Sequence, residues 1–550
     1  GSQIFALGTK TQPVIFTSAN DVATWDGTTG VESTQITFDP DPDNGSDADQ
    51  ITRNIVTDFD TVGDQNSGQW RFSALEWRNL TICGDAVVSS YEFGDPLADR
   101  LDSNGQPNPS FPSGTSGPAE VQMEGLLTSD VPAGSEADVF YGGGNDDDDS
   151  GVLNYVSIRY GGRVVGTGNE LNGLSLGGVG RGTDISHVEI MNNVDDGIEL
   201  WGGTVDLDHF IIYNVGDDSL DFDQGWRGSG QFGLIVQGAS LAQGQGSGFG
   251  DNSIEGDGAE NSDGQPRSSI TLRNMTVIGT PAGSAKDNSD GVVTYRDNAR
   301  IQVRRSIFAD SGAQTIRLDY IDGDGALGYG YNGTHSWADT WTTTVANDPL
   351  SNGGESNANS DLLVDGSTPA QFQYAALYGG AQETSPNGDG RLNEIRDTVV
   401  DVRISLVGYD TEDINEGAED LDPQFADPDV FDAFLKNPAN GFAITLDGAP
   451  LTQIGRSGVD SQGNIEGIDA GYNAGNLEFS LVDDLDPRPT ASAGTPADPD
   501  LDVVPGTGKF VPFPVRGAFS QSNWADGWSA ADSYGLFVDG FDRIEAEEVA

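Results

Sequence analysis

Two acidic doublets stand at the same place in consecutive segments of this chain. Asp195 and Asp196 occur in NNVDDGIELWGG, and Asp217 and Asp218 occur in YNVGDDSLDFDQG, 22 residues further on. Clustered carboxylates can bind a metal cation. A pair of them can also act as a general acid and a water-activating base. Either chemistry requires that the fold bring the two doublets together.

The 22-residue offset extends beyond the doublets. His187 corresponds to His209, and Glu199 corresponds to Asp221, with apolar residues matched around them. Tyr155 precedes His187 by 32 residues, which fits the same unit enlarged by a ten-residue loop. A period near 22 residues, made of short strand-like segments, predicts a solenoid. Each unit would form one coil, and successive coils would pair as parallel strands.

The sequence therefore predicts an all-β fold, a parallel β-helix with long irregular loop insertions and a C-terminal capping region. The aromatic tail is expected to cover the open end of the stack, because the end of a solenoid must be capped. The predicted segments are N-terminal coils (1–90), an Asp/Gly/Pro-rich loop insertion (91–150), central coils (151–321), a loop-rich insertion with further strands (322–450) and a C-terminal β and capping region (451–550).

The composition restricts the partners. A formal net charge of −62, from 88 acidic and 26 basic residues, disfavours nucleic acid and anionic membranes and favours cations. The same charge would also keep a protein soluble in salty surroundings. The apolar runs are too short to predict a membrane span. Cys83 is the single cysteine, so no internal disulfide can form.

Stacked coils would place the acidic side chains in contact. If Ile198 points into the core, Glu199 points outward and lies beside Asp221 of the next coil. Like charges this close require a bound cation, a shared proton or solvation. The sequence favours Ca²⁺, with an acidic ladder of Asp195, Asp196, Glu199, Asp217, Asp218, Asp221 and Asp223 as ligands.

A second calcium candidate is DPDPDNGSDAD, with alternating acidic residues at Asp39, Asp41, Asp43, Asp47 and Asp49. Its glycine stands one place too late for an EF-hand, and the bidentate glutamate is missing. Two weaker stretches are DYIDGDG (Asp319, Asp322 and Asp324) and NGDGRLNE (Asn387, Asp389 and Glu394). A solvated turn rich in Asp and Asn is the alternative for each stretch.

Rings near the ladder suggest two further roles. Trp201 and Trp226, with Arg227 beside them, are weak candidates for ligand binding, because flat rings stack on sugars. Packing beneath loops is the alternative for both tryptophans. His187 and His209, one coil apart, are expected to stack on each other rather than to bind a metal, which would need further ligands.

Several motifs together resemble a group of bacterial secreted or cell-surface proteins of the pectin-lyase-like shape. They are GVLNYVSIRYGG, NELNGLSLGGVGRGTDISHVEI, DDGIELWGGTVDL, GDDSLDFDQGWRGSGQF and RGAFSQSNWADGW. The resemblance implies a right-handed parallel β-helix and a location outside the cell. The opening of the chain resembles the second coil of that group, so we expect an N-terminal piece to be missing or removed. The group has no settled activity.

An enzyme is the alternative function. Asp196-Gly197 followed by Asp217-Asp218 resembles the arrangement in glycoside hydrolases of the polygalacturonase type, which makes Asp196, Asp217 and Asp218 weak catalytic candidates. The Gly-His-Gly and Arg-x-Lys coils of that family have no counterpart here. A β-helix lyase would need an arginine or lysine base, and Arg227 is the one basic residue near the ladder.

The sequence thus favours an exported protein, extracellular or on the bacterial cell surface, that serves as a Ca²⁺-stabilised structural, adhesive or filament component. The expected partners are further copies of the chain, head to tail or side by side, and surface glycans. A polysaccharide hydrolase or lyase is the first alternative. An accessory protein that captures ligand for an outer-membrane transporter is the second.

Overall fold

The computed structural model describes residues 2–18, 34–38, 51–55, 74–89, 121–129, 131–166, 169–238, 250–258, 268–279, 292–296, 299–310, 315–318, 337–344, 390–401, 407–409, 433, 444–446, 449–457, 481–498, 501, 510–533, 535–538 and 541. Most of the regular structure in these residues is β-strand, as the sequence predicts. Within them, no helix has the length and apolar character needed to cross a membrane.

The strands of the first half are β1 (Ile4–Leu7), β2 (Val14–Phe16), β3 (Thr34–Phe38), β4 (Ile51–Ile55), β5 (Leu80–Cys83), β6 (Val121–Gln122), β7 (Phe140–Tyr141), β8 (Gly151–Arg159), β9 (Arg163–Gly166), β10 (Asn169–Leu171), β11 (Leu174–Gly177), β12 (Asp184–Met191), β13 (Ile198–Trp201), β14 (Leu207–Tyr213), β15 (Leu220–Asp223) and β16 (Ser229–Val236). Those of the second half are β17 (Ile254–Gly256), β18 (Ser269–Arg273), β19 (Thr276–Ile278), β20 (Val293–Tyr295), β21 (Arg300–Arg304), β22 (Ile307–Ala309), β23 (Ile316–Leu318), β24 (Glu394–Arg396), β25 (Val399–Asp401), β26 (Val407–Tyr409), β27 (Ile444–Leu446), β28 (Leu451–Ser457) and β29 (Leu481–Pro489). The helical elements are a 3-10 turn (Glu136–Val139), α1 (Trp337–Thr342), α2 (Ala491–Gly494) and α3 (Ala530–Ser533).

Two parallel sheets contain most of these strands. The long sheet has 13 strands and follows the order β1-β8-β12-β14-β16-β19-β22-β25-β27, with β2, β18, β21 and β24 alongside. The short sheet has eight strands, in the order β5-β11-β13-β15-β17-β20-β23-β26. From β11 onward the chain alternates between the two sheets and winds as a coil. The architecture is the right-handed parallel β-helix that the sequence predicts.

The register confirms the repeat. Ile185 pairs with Leu207 and Ile198 pairs with Leu220, each 22 residues apart. Leu153 pairs with Ile185 at the enlarged offset of 32 residues. Elsewhere the insertions vary in length, because loops leave the coil at its corners without disturbing the pairing.

Residues with a left-handed backbone conformation occupy one aligned position in successive coils, and they bend each coil within the long sheet. We call this file the left-handed ladder. Non-glycine residues at the aligned position have φ between 50° and 62°; they are Tyr155, His187, His209, Phe232, Asn274, Arg305 and Asp397. This backbone conformation is unfavourable for residues with a side chain and persists only where the surroundings enforce it. From Asn274 onward the bend divides the strand into two, as between β18 and β19.

The main core fills the inside of the coil. Apolar residues of successive coils stack in files, such as Leu174, Ile198, Leu220 and Ile254 from the short sheet, all fully buried. Side chains from the long sheet, such as Val188 and Phe210, pack against them. Each coil is open above and below, so its core is completed by its neighbours.

A second apolar layer covers the outside of the long sheet beyond the bend. The outward-facing residues Ile211, Tyr213, Leu234 and Val236 are buried there, although they point away from the main core. They contact the C-terminal segment, chiefly Phe519, Trp528, Leu485, Phe537 and Phe541. The long sheet is therefore buried on both faces in this region, which explains the uninterrupted apolar run in Phe210-Ile211-Ile212-Tyr213.

The C-terminal segment thus lies somewhere other than expected. The sequence predicts that this aromatic tail covers the open end of the stack. The described residues between 481 and 541 instead run along the flank of the long sheet, from β8 to β24. The reason is that the outer face of that sheet is itself apolar and needs a cover.

The predicted histidine stack is confirmed and belongs to a longer aromatic file. The rings of His187 and His209 lie parallel, with centroids 4.5 Å apart. Tyr155 stacks on the far side of His187 at 4.3 Å, and Phe232 lies 4.5 Å from His209. Trp524 meets both imidazoles edge-on, at 6.4 and 5.1 Å. The tail therefore closes the aromatic file from outside.

Two polar contacts fasten the tail to the coils. Glu189 is fully buried and accepts hydrogen bonds from the backbone N–H groups of Ala530 and Ala531, at 2.7 and 2.8 Å. Asp397 lies at the end of the left-handed ladder and pairs with Arg516, which is also buried. Charge-assisted hydrogen bonds in such dry surroundings are strong, so they fix the tail in one position.

The predicted loop insertion 91–150 also contributes structure to the helix. β6, the 3-10 turn and β7 lie over the outer face of the short sheet, where Tyr141 contacts Trp201. The acidic run that ends this insertion is tied down as well, since Asp146 forms a bidentate ion pair with Arg227 at 2.7 Å. Burial raises the pKa of Asp146, but the Arg227 guanidinium outweighs burial and holds this pKa below its usual value.

Glu189→Gln should loosen the tail without breaking the coils. The amide retains one acceptor oxygen but presents an NH₂ group to a backbone donor, at a cost of about 1–3 kcal/mol for the mispaired buried groups. We expect a lower unfolding free energy and faster proteolysis within 510–541. Limited proteolysis and chemical unfolding measure both effects, with Asp184→Asn, an exposed change on the same strand, as the control. Cleavage at the wild-type rate would contradict this account of the anchor.

The histidine file should make stability depend on pH. Burial, helped by the neighbouring His209, lowers the pKa of His187 from 6.5 to about 4. Between these values the unfolded chain binds a proton that the folded chain excludes. The stabilising contribution is therefore present above about pH 6.5 and is lost as the pH falls towards 4.

This dependence can be measured as a difference between two proteins. His187→Phe keeps a ring in the aromatic file but cannot titrate. From pH 7 to pH 4.5, wild type should lose on the order of 2 kcal/mol more unfolding free energy than His187→Phe. Parallel curves for the two proteins would show that His187 has no part in the pH response.

Candidate metal centre

Two ladders of polar residues run side by side along the short sheet. The turn ladder occupies the corner that precedes each strand and consists of Asn172, Asp196, Asp218 and Asn252. Its members are aligned, because Gly173 N–H bonds to the carbonyl of Asp196 and Gly197 N–H bonds to the carbonyl of Asp218. Each carboxylate also accepts the N–H of its successor, Asp196 from Asp218 at 2.9 Å and Asp218 from Asn252 at 2.5 Å.

The strand ladder lies three residues further along each coil. Its members lie on successive strands from β11 to β20, and each pairs with the next in register: Ser175, Glu199, Asp221, Glu255 and Thr294. They point outward, since the residues on either side of them point into the core. In-register pairing therefore places three carboxylates in successive coils, one above another.

The carboxylates of the two ladders, with Asp195, Asp217 and Asp251 one residue before the turn ladder, form four groups. Within each group the carboxylate oxygens lie within 4.8 Å of one another. The groups are Asp195/Asp196/Asp217, Asp196/Glu199/Asp221, Asp217/Asp218/Asp251 and Asp218/Asp221/Glu255. Neighbouring groups share residues, so together they form one continuous acidic site across three coils.

Burial and mutual repulsion disfavour full ionisation of this site. Asp196, Glu199, Asp218 and Asp221 are each no more than 8 % exposed. Burial in the first place, and the nearby carboxylates in the second, raise the pKa of each of these four groups well above its usual range. Protons therefore compete with a cation for these carboxylates, and a bound metal would displace them.

A basic residue, Arg296, lies at one end of the site. Arg296 lies 3.0 Å from Glu255 and 3.5 Å from Asp257. Its positive charge partly offsets the rise in the pKa of Asp221. At the other end the carboxylate of Glu124 adds to the negative charge and raises the pKa of Glu199 further.

Two buried oxygens of the site have no hydrogen-bond partner among the described residues. They are Oδ1 of Asp221 and Oδ1 of Asn172, in residues that are 8 % and 1 % exposed. A buried acceptor without a donor is unfavourable unless an ion or a water satisfies it. Both oxygens therefore point to a ligand.

The donor set selects a hard cation. Every candidate ligand atom in the four groups is a carboxylate oxygen, and no histidine or cysteine belongs to them. Ca²⁺ takes six to eight such oxygens, supplemented by carbonyls and water, whereas structural zinc sites use thiolates and imidazoles. The residues present fit a calcium ion.

Most of the predicted ladder is brought together. Six of its seven members belong to the four groups: Asp195, Asp196, Glu199, Asp217, Asp218 and Asp221. Asp223 does not belong to them, and its carboxylate accepts the N–H of Gln224. Sequence comparison missed Asp251 and Glu255. Their signal is DNSIEG, which repeats DDGIEL, but the loop before it lengthens the offset from 22 to 34 residues.

The candidate ligands of the other predicted calcium stretches lie, except for Glu394, outside the described residues. Asp39, Asp41, Asp43, Asp47, Asp49, Asp319, Asp322, Asp324, Asn387 and Asp389 lie outside the described residues. Glu394 is described, and it forms a buried ion pair with Arg304 at 3.3 Å. Its carboxylate already has a cationic partner in the fold.

The residues proposed for ligand binding are buried. Trp201 is 5 % exposed beneath Met123 and Tyr141. Trp226 is fully buried in the main core, where its indole N–H donates to the carbonyl of Val205 at 3.0 Å. Arg227 is engaged by its ion pair. The packing alternative therefore describes both tryptophans, and neither ring has an open face for a sugar.

The catalytic candidates have unequal access. Asp196 and Asp218 are buried, whereas Asp217 is half-buried and lies at the outer edge of the site. A general acid must reach a glycosidic oxygen, so Asp217 is the most accessible of the three. Their proximity matches the doublet arrangement that motivated the enzyme hypothesis.

Comparison with known proteins agrees with the architecture. Residues 117–342 match the family model described as a pectate-lyase-like beta helix domain. The matched region runs from just before β6 to α1 and contains the whole acidic site. A search of curated proteins and a search of solved structures each found no match. The chain is therefore a parallel β-helix that is similar to this family over residues 117–342, and the pectin-lyase-like shape implied by the sequence motifs is confirmed.

If the site binds Ca²⁺, the ion should raise the stability of the protein. A ligand present at a hundred times its dissociation constant adds about 2.7 kcal/mol to the unfolding free energy. Asp196→Asn/Asp218→Asn should abolish this gain. The control Asp184→Asn/Asp484→Asn removes two exposed charges and should retain it. Thermal unfolding in Ca²⁺ and in EGTA, after metal stripping, measures the gain; equal gains in both double variants would place the ion elsewhere.

Proposed function

We propose that this chain is a Ca²⁺-stabilised structural or adhesive component that acts outside the cell or on the bacterial cell surface. The observation that carries the proposal is the buried acidic site, which joins three successive coils. Each of its four groups takes ligands from two coils, so a bound ion would tie those coils to each other. Resistance to separation of the coils is what a mechanical element requires.

The chemistry of the site suits an extracellular location. Calcium sites of extracellular modules work at about 10⁻⁴–10⁻³ M, concentrations that exist outside cells and not in the cytosol. The net charge of −62 keeps such a protein soluble in salty surroundings. Both features support export, in line with the secreted proteins that the motifs resemble.

The geometry favours another copy of this chain as the partner. Among the described strands, β1 and β5 lie at the edges of the long and short sheets. Phe5 and Leu7 on β1 are 60 % and 64 % exposed, which is unusual for large apolar residues. Phe5→Ser/Leu7→Ser should therefore weaken any oligomer in analytical ultracentrifugation. Unchanged sedimentation of an oligomeric wild type would exclude this edge as the contact.

Single-molecule force spectroscopy tests the mechanical role on the full chain. Ca²⁺ should raise the force needed to unfold the coils around the acidic site, because each ion bridges two coils. Asp196→Asn/Asp218→Asn should lose the increase and Asp184→Asn/Asp484→Asn should keep it. The same unfolding force in Ca²⁺ and in EGTA would contradict a mechanical function for the site.

A polysaccharide hydrolase or lyase is the second candidate. It is favoured by the raised carboxyl pKa values of Asp196 and Asp218, next to the more accessible Asp217. Such perturbed groups are what acid–base catalysis uses. Release of reducing or unsaturated ends from a polysaccharide panel, abolished by Asp217→Asn, would establish this activity in place of the structural one.

A further inference from the structure

The four carboxylate groups repeat by translation along the helix. Shifted by one coil, Asp196/Glu199/Asp221 becomes Asp218/Asp221/Glu255, and Asp195/Asp196/Asp217 becomes Asp217/Asp218/Asp251. The first member of each pair lies in the gap between the first and second acidic coils, which we call the upper gap. The second lies between the second and third, which we call the lower gap. The two gaps are thus chemically equivalent.

We propose that the site binds two cations, one in each gap, bridged by Asp221. This inference rests on the proposed calcium binding and specifies its stoichiometry. Asp221 belongs to the strand-side group of both gaps, and its Oδ1 is buried without a hydrogen-bond partner in the described residues. A carboxylate between two gaps can give one oxygen to each ion. Coils stack at about 4.8 Å, a separation at which one carboxylate spans two ions.

Neutral residues close the array at both ends. In the turn ladder Asn172 precedes Asp196, and Asn252 follows Asp218. In the strand ladder Ser175 precedes Glu199, and Thr294 follows Glu255. The described coils that adjoin the three acidic ones therefore carry no carboxylate in the strand ladder, and Arg317 pairs with Thr294 one coil further on. Within the described residues, two gaps are bounded by carboxylates on both sides.

The terminal amides also hold the outer carboxylates. Asn172 donates its side-chain N–H to Glu199, and Asn252 donates its own to Glu255 at 3.1 Å. Glu255 accepts from Asn252 at one oxygen and from Arg296 at the other, so both of its oxygens are engaged at the lower end of the array. Asn172 Oδ1 is buried and has no hydrogen-bond partner among the described residues, one coil before the upper gap.

Charge favours two ions over one. Eight carboxylates form the four groups, and Arg296 lies against one of them, Glu255. A single divalent ion in one gap would leave the largely buried carboxylates of the other gap without a bound metal. A second ion in the equivalent gap reduces the repulsion among them, and the two gaps offer matching ligands for it.

Stoichiometry distinguishes this proposal from the one on which it rests. The full chain, stripped of metal, is titrated with Ca²⁺ in equilibrium dialysis at about 0.5 M salt, which screens weak binding to the acidic surface. Two site-bound ions per chain, counted as the difference from Asp196→Asn/Asp218→Asn, are expected. One ion would overturn the two-cation array and leave calcium binding intact; no ion would overturn both.

Single variants assign the gaps. Glu199→Gln should remove the upper ion and Glu255→Gln the lower one, leaving one ion in each case. Asp221→Asn should weaken both ions at least tenfold, because it removes the shared carboxylate. Asp223→Asn, two residues along the same strand and outside the four groups, is the matched control and should bind two. A Glu199→Gln/Glu255→Gln double variant should bind no ion; if it still bound one, both changes would have removed the same ion and separate gaps would be contradicted.

A measurement on the wild type removes dependence on variants that fail to fold. Tb³⁺ and Eu³⁺ report on oxygen-lined sites by luminescence, and energy passes between them only when they are close. In chains loaded with an equal mixture, efficient transfer from Tb³⁺ to Eu³⁺ is expected for neighbouring gaps. Transfer no greater than in the Asp196→Asn/Asp218→Asn variant would overturn the pair.

Discussion

In-register parallel stacking is the constraint on which the rest of this structure depends. Once the coils pair at an offset of 22 residues, each side chain lies about 4.8 Å from its counterpart in the next coil. Apolar residues such as Ile198 and Leu220 gain from that contact, and so do the rings of His187 and His209. Carboxylates do not gain from it, so stacking in the acidic site creates repulsion that a bound cation would relieve.

The same stacking leaves an apolar flank that the coil cannot bury alone. The side chains of Ile211 and Leu234 point away from the main core, and the tail satisfies them through Phe519 and Trp528. The fold therefore has two cores that meet across one sheet. Buried anchors, Glu189 and Asp397, give the second core a unique arrangement, since apolar contact alone is not directional.

The sequence was sufficient for the fold and for most of the site, because both depend on a repeat that is visible at a fixed offset. Asp195, Asp196, Asp217 and Asp218 were matched by that offset alone. Glu255 was missed because an inserted loop hides its coil, and loop length follows no period. The position of the tail was also missed, since it depends on which outer faces are apolar, and that becomes clear only when Phe210-Ile211-Ile212-Tyr213 is known to be a strand.

The contact between Glu189 and Ala530 joins residues 341 positions apart. A chain made from its N-terminus forms the central coils long before residues 510–541 exist, and until then the apolar flank of the long sheet has no cover. Nascent or truncated chains would thus expose the apolar outer face of the long sheet to chaperones and proteases. Because the tail is synthesised late, a chain that includes this segment buries its apolar flank and a shorter chain leaves it exposed. Chaperones and proteases could distinguish the two by that exposed surface.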